Sequence, residues 1–114
     1  MNLEQTCNVL KTGAQSLALQ NASTKNKALT AVAAALDTQR VEIIAANKKD
    51  VEIARANGTP ESLIDRLSLD DKRINGIIES LKIVIAQSDP IGEETAGWKT
   101  PNGLSIRQVR VPLG

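Results

Sequence analysis

Residues 100–109 read Thr-Pro-Asn-Gly-Leu-Ser-Ile-Arg-Gln-Val, and this stretch predicts a β-hairpin at the end of a chain that is otherwise helical. Residues 100–103 are typical of a turn, because Pro favours its second position and Gly can take a positive φ. The following strand alternates Leu104, Ile106 and Gln108 on one face with Ser105, Arg107, Val109 and Val111 on the other. Two strands alone are marginal in water. The hairpin is therefore expected to lie on the helices, to join a sheet outside residues 1–114, or to pair with another subunit.

The first helix is predicted over residues 3–20. Its apolar side chains recur at steps of three and four, which collects them on one stripe: Leu3, Cys7, Leu10, Ala14 and Leu17. A turn at residues 21–23 follows, in which Ser23 is predicted as the N-cap of the next helix. That helix keeps the same period from Leu29 to Ile43. A break near residues 37–38 would give two consecutive helices in place of one long helix, and the sequence leaves both open.

Residues 57–60, Asn-Gly-Thr-Pro, are the clearest boundary between helices. Gly58 can take the left-handed conformation that ends a helix, while Thr59 is predicted to cap the next helix with Pro60 in its first turn. Further along, Ser68 and Asp71 resemble a capping box ahead of a helix over residues 69–87. The predicted fold class is mainly α with a C-terminal β-hairpin, divided into residues 1–88 and 89–114.

Composition and charge exclude several classes of protein. With 114 residues, 41% apolar and 24% charged, the chain is long enough for one small globular domain whose aliphatic core is thin, so one face is expected to need a partner. A net charge of +1 gives no strong field for nucleic acid or an anionic membrane. The single Cys excludes an internal disulfide, and the longest apolar run, residues 31–36, is far below the ~20 needed to span a bilayer. We expect a cytoplasmic protein with no nucleic acid or membrane partner.

Few residues are candidates for chemistry. The chain has no His, so Cys7 lacks a base to activate it and is predicted to pack in the core. The carboxylate pairs Asp70-Asp71 and Glu93-Glu94 could hold a hard cation, although helix capping explains the first pair more simply. Trp98 is predicted to anchor the hairpin against an apolar surface. The remaining candidates are cationic and are interpreted as solvated surface charge without aromatic neighbours: Lys48, Lys49, Lys99, Arg107 and Arg110.

Several motifs occur in the order and at the separations of one known family. They are residues 45–51 (Ala-Ala-Asn-Lys-Lys-Asp-Val), 54–58 (Ala-Arg-Ala-Asn-Gly), 63–67 (Leu-Ile-Asp-Arg-Leu) with Leu69 and Arg73, 89–92 (Asp-Pro-Ile-Gly) and 110–114 (Arg-Val-Pro-Leu-Gly). Over essentially its whole length the chain resembles the amino-terminal part of the gamma-glutamyl phosphate reductase family, in the aldehyde dehydrogenase superfamily. The resemblance implies the helical front of an α/β aldehyde-dehydrogenase-like fold.

The resemblance also implies a function for the parent protein. Such an enzyme is an NADP-dependent glutamate-5-semialdehyde dehydrogenase, an oxidoreductase of L-proline biosynthesis. It uses NADPH to reduce L-glutamyl 5-phosphate to L-glutamate 5-semialdehyde and releases phosphate, by way of a cysteine thioester. Its catalytic cysteine and cofactor residues are expected beyond residue 114. No catalytic, cofactor-binding or metal-binding residue is therefore assigned in this chain, which is expected to be inactive and not to bind NADPH by itself.

The same resemblance implies positions for the two segments. Residues 1–88 are expected to pack on the cofactor domain, and residues 89–114 to lead into the dinucleotide-binding domain and to lie near a homo-oligomer interface. The alternative is a non-enzymatic helical protein-interaction module, which the amphipathic stripes, the missing catalytic residues and the exposed hairpin would also explain.

Overall fold

The structure, a computed structural model, describes residues 2–113. Five helices precede one antiparallel hairpin: α1 Leu3–Ala18, α2 Ala22–Thr38, α3 Arg40–Ala56, α4 Glu61–Leu67, α5 Asp71–Ala86, β1 Glu94–Lys99 and β2 Ser105–Val109. The predicted fold class is confirmed. Residues 25–87 form one compact unit, and residues before 25 and after 87 form another. The predicted division at residue 88 concerns packing on a separate domain and stays a prediction.

Helix α1 begins at a capping box and is exposed along its length. The Asn2 side chain accepts a hydrogen bond from the Gln5 amide at 2.8 Å, and the Gln5 side chain accepts one from the Asn2 amide at 3.0 Å. The predicted apolar stripe exists, yet no residue of α1 is buried. The spacing of the apolar residues shows which face of a helix is apolar. It does not show whether another part of the protein packs against that face.

The N-cap predicted at Ser23 is wrong. Asn21 is the cap, since its side-chain oxygen accepts from the Thr24 amide at 2.9 Å and α2 begins one residue later. At the other end of α2, the structure decides between the two open alternatives in favour of consecutive helices. They meet at Gln39, whose amide still donates to the Ala35 carbonyl at 2.9 Å.

Gly58 ends α3 as predicted, with φ at +75°. The Gly58 amide donates to the Arg55 carbonyl and the Thr59 amide to the Ala54 carbonyl, each at 3.0 Å, which is the Schellman arrangement. The predicted cap at Thr59 is wrong. Pro60 itself occupies the N-cap position of α4 with extended backbone and no side-chain cap, so it precedes the first turn.

The capping box predicted between Ser68 and Asp71 is also wrong, although α5 lies inside the predicted range. Asp70 caps α5 by accepting from the Arg73 amide at 2.7 Å. Ser68 belongs to the end of α4, because its hydroxyl donates to the Ile64 carbonyl at 2.7 Å. The true cap, Asp70, lies two positions after the predicted cap, Ser68, so the prediction placed the start of α5 two residues too early.

The core of the unit formed by residues 25–87 is small. Val51 of α3, Ile64 of α4 and Ile74 of α5 are buried, and the two isoleucines are fully so. Full burial of one such side chain contributes about 1.5–3 kcal/mol. Three helices therefore meet at an aliphatic centre that is as thin as the composition predicts.

The hairpin follows the predicted turn, and the predicted alternation holds over β2, while Leu104 and Val111 lie outside that strand. The Thr100 amide donates to the Leu104 carbonyl at 2.9 Å, and Gly103 takes φ +89°. Trp98 pairs with Ile106 and Gly97 with Arg107, so these pairs lie on opposite faces. A register shift between Glu94 and Ala96 leaves Thr95 as the extra residue of a bulge.

Candidate functional site

Cys7 does not pack in a core, and that prediction is wrong. Its side chain is exposed, because the apolar face of α1 on which it lies is not covered by any of residues 2–113. The chain has no His that could take the thiol proton. An exposed thiol on an apolar helix stripe is accessible to reagents, and it carries no assigned catalytic role.

Each carboxylate of the two pairs contacts another group of the chain. Asp70 caps α5, and Asp71 pairs with Arg40 at 3.0 Å. In the hairpin segment, Glu93 pairs with Arg110 at 2.9 Å, and Glu94 with Arg107 at 3.7 Å. Within residues 2–113 no group of three or more His, Cys, Asp or Glu side chains could hold a metal ion.

The cationic candidates lie at the surface. Lys48, Lys49 and Lys99 are exposed, and Arg107 and Arg110 are more than half exposed even though each forms an ion pair. The interpretation as solvated charge fits these positions. Gly97 has a particular role beside one of the pairs, because a Cβ there would lie 2.7 Å from the Glu94 carboxylate oxygen. Glycine thus leaves room for the Glu94 side chain to extend along β1 toward Arg107 on β2.

The most specific polar arrangement surrounds the buried side chain of Asn47. From α3 its Nδ2 donates to the Leu67 carbonyl at 2.9 Å, and its Oδ1 accepts from the Leu69 amide at 2.7 Å. Leu67 ends α4, and Leu69 lies in the connection to α5. One amide side chain therefore pairs with a backbone donor and a backbone acceptor in part-buried hydrogen bonds close to the core.

Arg73 fixes the same connection from the side of α5. Its guanidinium donates to the Asp65 carboxylate at 2.8 Å, to the Ser68 carbonyl at 2.7 Å and to the Asp65 carbonyl. Because the guanidinium is planar with five donors, it can serve several acceptors at once. Asn47 and Arg73 together define what we name the α4–α5 clamp.

Arg40 links the junction of α2 and α3 to the first turns of α5. It donates to Asp37 at 2.6 Å, to Asn75 at 2.7 Å and to Asp71 at 3.0 Å. The hydrogen bonds to Asp71 and Asp37 raise the pKa of the Arg40 guanidinium above its ordinary value. Arg40 therefore stays charged throughout the pH range in which proteins fold, and these contacts are not lost by its deprotonation.

From the sequence, Asn47, Asp65 and Arg73 are notable only as members of motifs. Their structural role was missed, because each contact joins residues that are 5 to 22 positions apart. No local pattern encodes such pairings. A polar residue between apolar ones on a helix was the available signal at Asn47, and it is weak.

Two apolar surfaces are not covered by the described residues. On α1, Leu3, Leu10 and Leu17 are 81%, 67% and 58% exposed. On the hairpin, Trp98 is 53% exposed beside its cross-strand partner Ile106, so the predicted anchoring of Trp98 is not achieved within residues 2–113. Exposed apolar side chains grouped in this way are candidates for contact with other protein. We name them the α1 stripe and the Trp98 face.

The described residues do not fit a nicotinamide cofactor. Dinucleotide sites use a glycine-rich turn between a parallel strand and the helix that follows it. The strands within residues 2–113 pair only with each other, as an antiparallel hairpin after the last helix. No cofactor residue is therefore assigned. In the same part of the chain, none of the helices combines the length and apolar character needed to cross a membrane.

Comparison with known proteins finds relatives that share one name. The chain is 45% identical over 118 aligned residues to a gamma-glutamyl phosphate reductase of Clostridium novyi, covering 100% of this chain and 28% of that protein. It is 51% identical to the protein of the same name from Thermotoga petrophila, over 84% of this chain and 24% of the relative. No protein-family model matches.

Solved structures agree with these relatives. The crystal structure of gamma-glutamyl phosphate reductase from Thermotoga maritima matches with a TM-score of 0.82 at 46% identity, over 86% of this chain and 24% of that one. The Saccharomyces cerevisiae enzyme of the same name matches with a TM-score of 0.78 at 27% identity, over 84% and 25%. The chain thus spans about a quarter of the length of the relatives it matches, in their amino-terminal part.

Proposed function

Since the chain is homologous to the amino-terminal part of the gamma-glutamyl phosphate reductases, we propose that it serves as that part of an enzyme with the same activity. The enzyme reduces L-glutamyl 5-phosphate to L-glutamate 5-semialdehyde with NADPH, in L-proline biosynthesis. Similarity to the reductases in both sequence and backbone carries the proposal. Nearly half of the residues are identical over the full length of the chain, and the backbone superposes on a reductase at a TM-score of 0.82.

NADPH supplies the hydride of this reaction, and the acyl phosphate loses inorganic phosphate. None of residues 2–113 is assigned to either step, because the described chain offers neither a nucleotide cradle nor an activated nucleophile. The role we propose for the chain is structural. It presents shaped apolar surfaces to the part of the enzyme that binds substrate and cofactor.

The α1 stripe supports this role. Leu3, Leu10 and Leu17 recur every seven residues on a helix that buries none of its own side chains. Removing one leucine side chain from water contributes about 1.5–3 kcal/mol, so leaving three exposed forgoes a large stabilisation. We propose that residues 1–88 pack on the cofactor domain of the complete enzyme and that the α1 stripe is covered there.

The Trp98 face supports the proposal for residues 89–114. Each strand of the hairpin has one unpaired edge, and Trp98 with Ile106 leaves apolar area uncovered. Unpaired edges and a half-exposed tryptophan are typical of a strand pair that other protein completes. We propose that this segment leads into the dinucleotide-binding domain and lies near an interface between identical subunits of a cytoplasmic enzyme.

A chimaeric enzyme tests the proposal whatever the natural length of the chain. Residues 1–113 would replace the corresponding amino-terminal part of the Clostridium novyi reductase, which is 45% identical over this whole chain. The readout is phosphate-dependent oxidation of glutamate semialdehyde with NADP. Activity in the chimaera, and none in the Clostridium novyi protein lacking its amino-terminal part, is expected. A correctly folded but inactive chimaera would favour the alternative of a separate interaction module, which the same uncovered surfaces also fit.

A further inference from the structure

We draw no further inference here: the strongest candidate, the α1 stripe considered as a contact with a second copy of α1, spans too few helical turns for such a pair to be stable, and nothing in the part of the chain that the structure describes shows what else covers it.

Discussion

The Asn47 side chain accepts a hydrogen bond from the Leu69 backbone amide at 2.7 Å, which ties α3 to the connection between α4 and α5. Asn47 also donates to the Leu67 carbonyl, so the residue serves two backbone groups on either side of Ser68. These contacts hold the three helices whose isoleucines and valine form the core. The motif residue Asn47 therefore has a structural role in this chain.

Replacing Asn47 should destabilise the helical unit. Asn47→Ala removes the side-chain partner of the Leu69 amide and of the Leu67 carbonyl, which form part-buried hydrogen bonds with Asn47, and losing such a partner costs about 1–3 kcal/mol. We expect the free energy of urea unfolding to fall by about 2–4 kcal/mol. The exposed neighbour provides the control, since Lys48→Ala should change it by less than about 0.5 kcal/mol. Equal effects of the two substitutions would contradict the role assigned to Asn47.

Amide hydrogen exchange isolates one of the two contacts. Asn47→Asp keeps a side-chain acceptor for the Leu69 amide but loses the donor to the Leu67 carbonyl. The Leu69 amide should stay better protected in Asn47→Asp than in Asn47→Ala. The same exchange rate at Leu69 in both variants would show that the Asn47 oxygen does not protect this amide.

Replacing Arg73 with lysine should lower the stability of the helical unit. One ammonium group cannot reproduce the planar set of donors that reaches Asp65 and Ser68 together. Because the Arg73 side chain is 39% exposed, solvent reduces the loss, and we expect about 1 kcal/mol in unfolding by urea. Arg66→Lys, at an exposed position of α4, is the matched control and should be neutral. An unchanged free energy of unfolding in Arg73→Lys would show that Arg73 does not stabilise the α4–α5 clamp.

Two glycines should respond to alanine with opposite signs. Gly58 has φ +75°, where a Cβ costs about 1–2 kcal/mol, so Gly58→Ala should lower the melting temperature. Gly13 lies within α1 and has open space within 4 Å of the position that a Cβ would take, so Gly13→Ala should favour helix by up to about 1 kcal/mol. Helix content from circular dichroism and thermal unfolding measure both. A destabilising Gly13→Ala would mean that α1 is not the open helix described.

The reactivity of the Cys7 thiol measures whether the α1 stripe is covered. Its exposed thiol should react with a maleimide in the 114-residue chain about as fast as a free peptide thiol does. In the chimaera the reaction should be at least tenfold slower, because the stripe is then proposed to lie against the rest of the enzyme. Denatured chimaera is the control for intrinsic reactivity. Unchanged reactivity in an active, folded chimaera would refute the proposed covering of α1.

Much of the fold could be predicted from local chemistry. The turn at residues 100–103 and the helix end at Gly58 follow from Pro and Gly conformational preferences, and both are confirmed. The N-caps were harder to predict. Ser23, Thr59 and Ser68 have side chains that are suited to capping, yet each lies one or two residues from the true N-cap. Several polar residues close to a boundary make its register ambiguous.

Burial and long-range pairing were not predictable from this sequence. The period of α1 correctly identifies an apolar stripe, yet the burial inferred for Cys7 is wrong because no described residue covers that stripe. Likewise, the contacts of Asn47 and Arg73 join different helices, so they depend on the tertiary fold. The proposed function rests on homology and on these uncovered surfaces.

The activity of the chimaera tests the central claim most directly, and two substitutions on α1 make the test specific. The chimaera should oxidise glutamate semialdehyde in the presence of phosphate and NADP, and Leu10→Gln should lower its activity by at least tenfold while Val9→Gln, an exposed position off the stripe, has little effect. Circular dichroism and gel filtration establish that each variant is folded. An inactive chimaera that is nevertheless folded, or equal activities of the Leu10→Gln and Val9→Gln variants, would contradict the account.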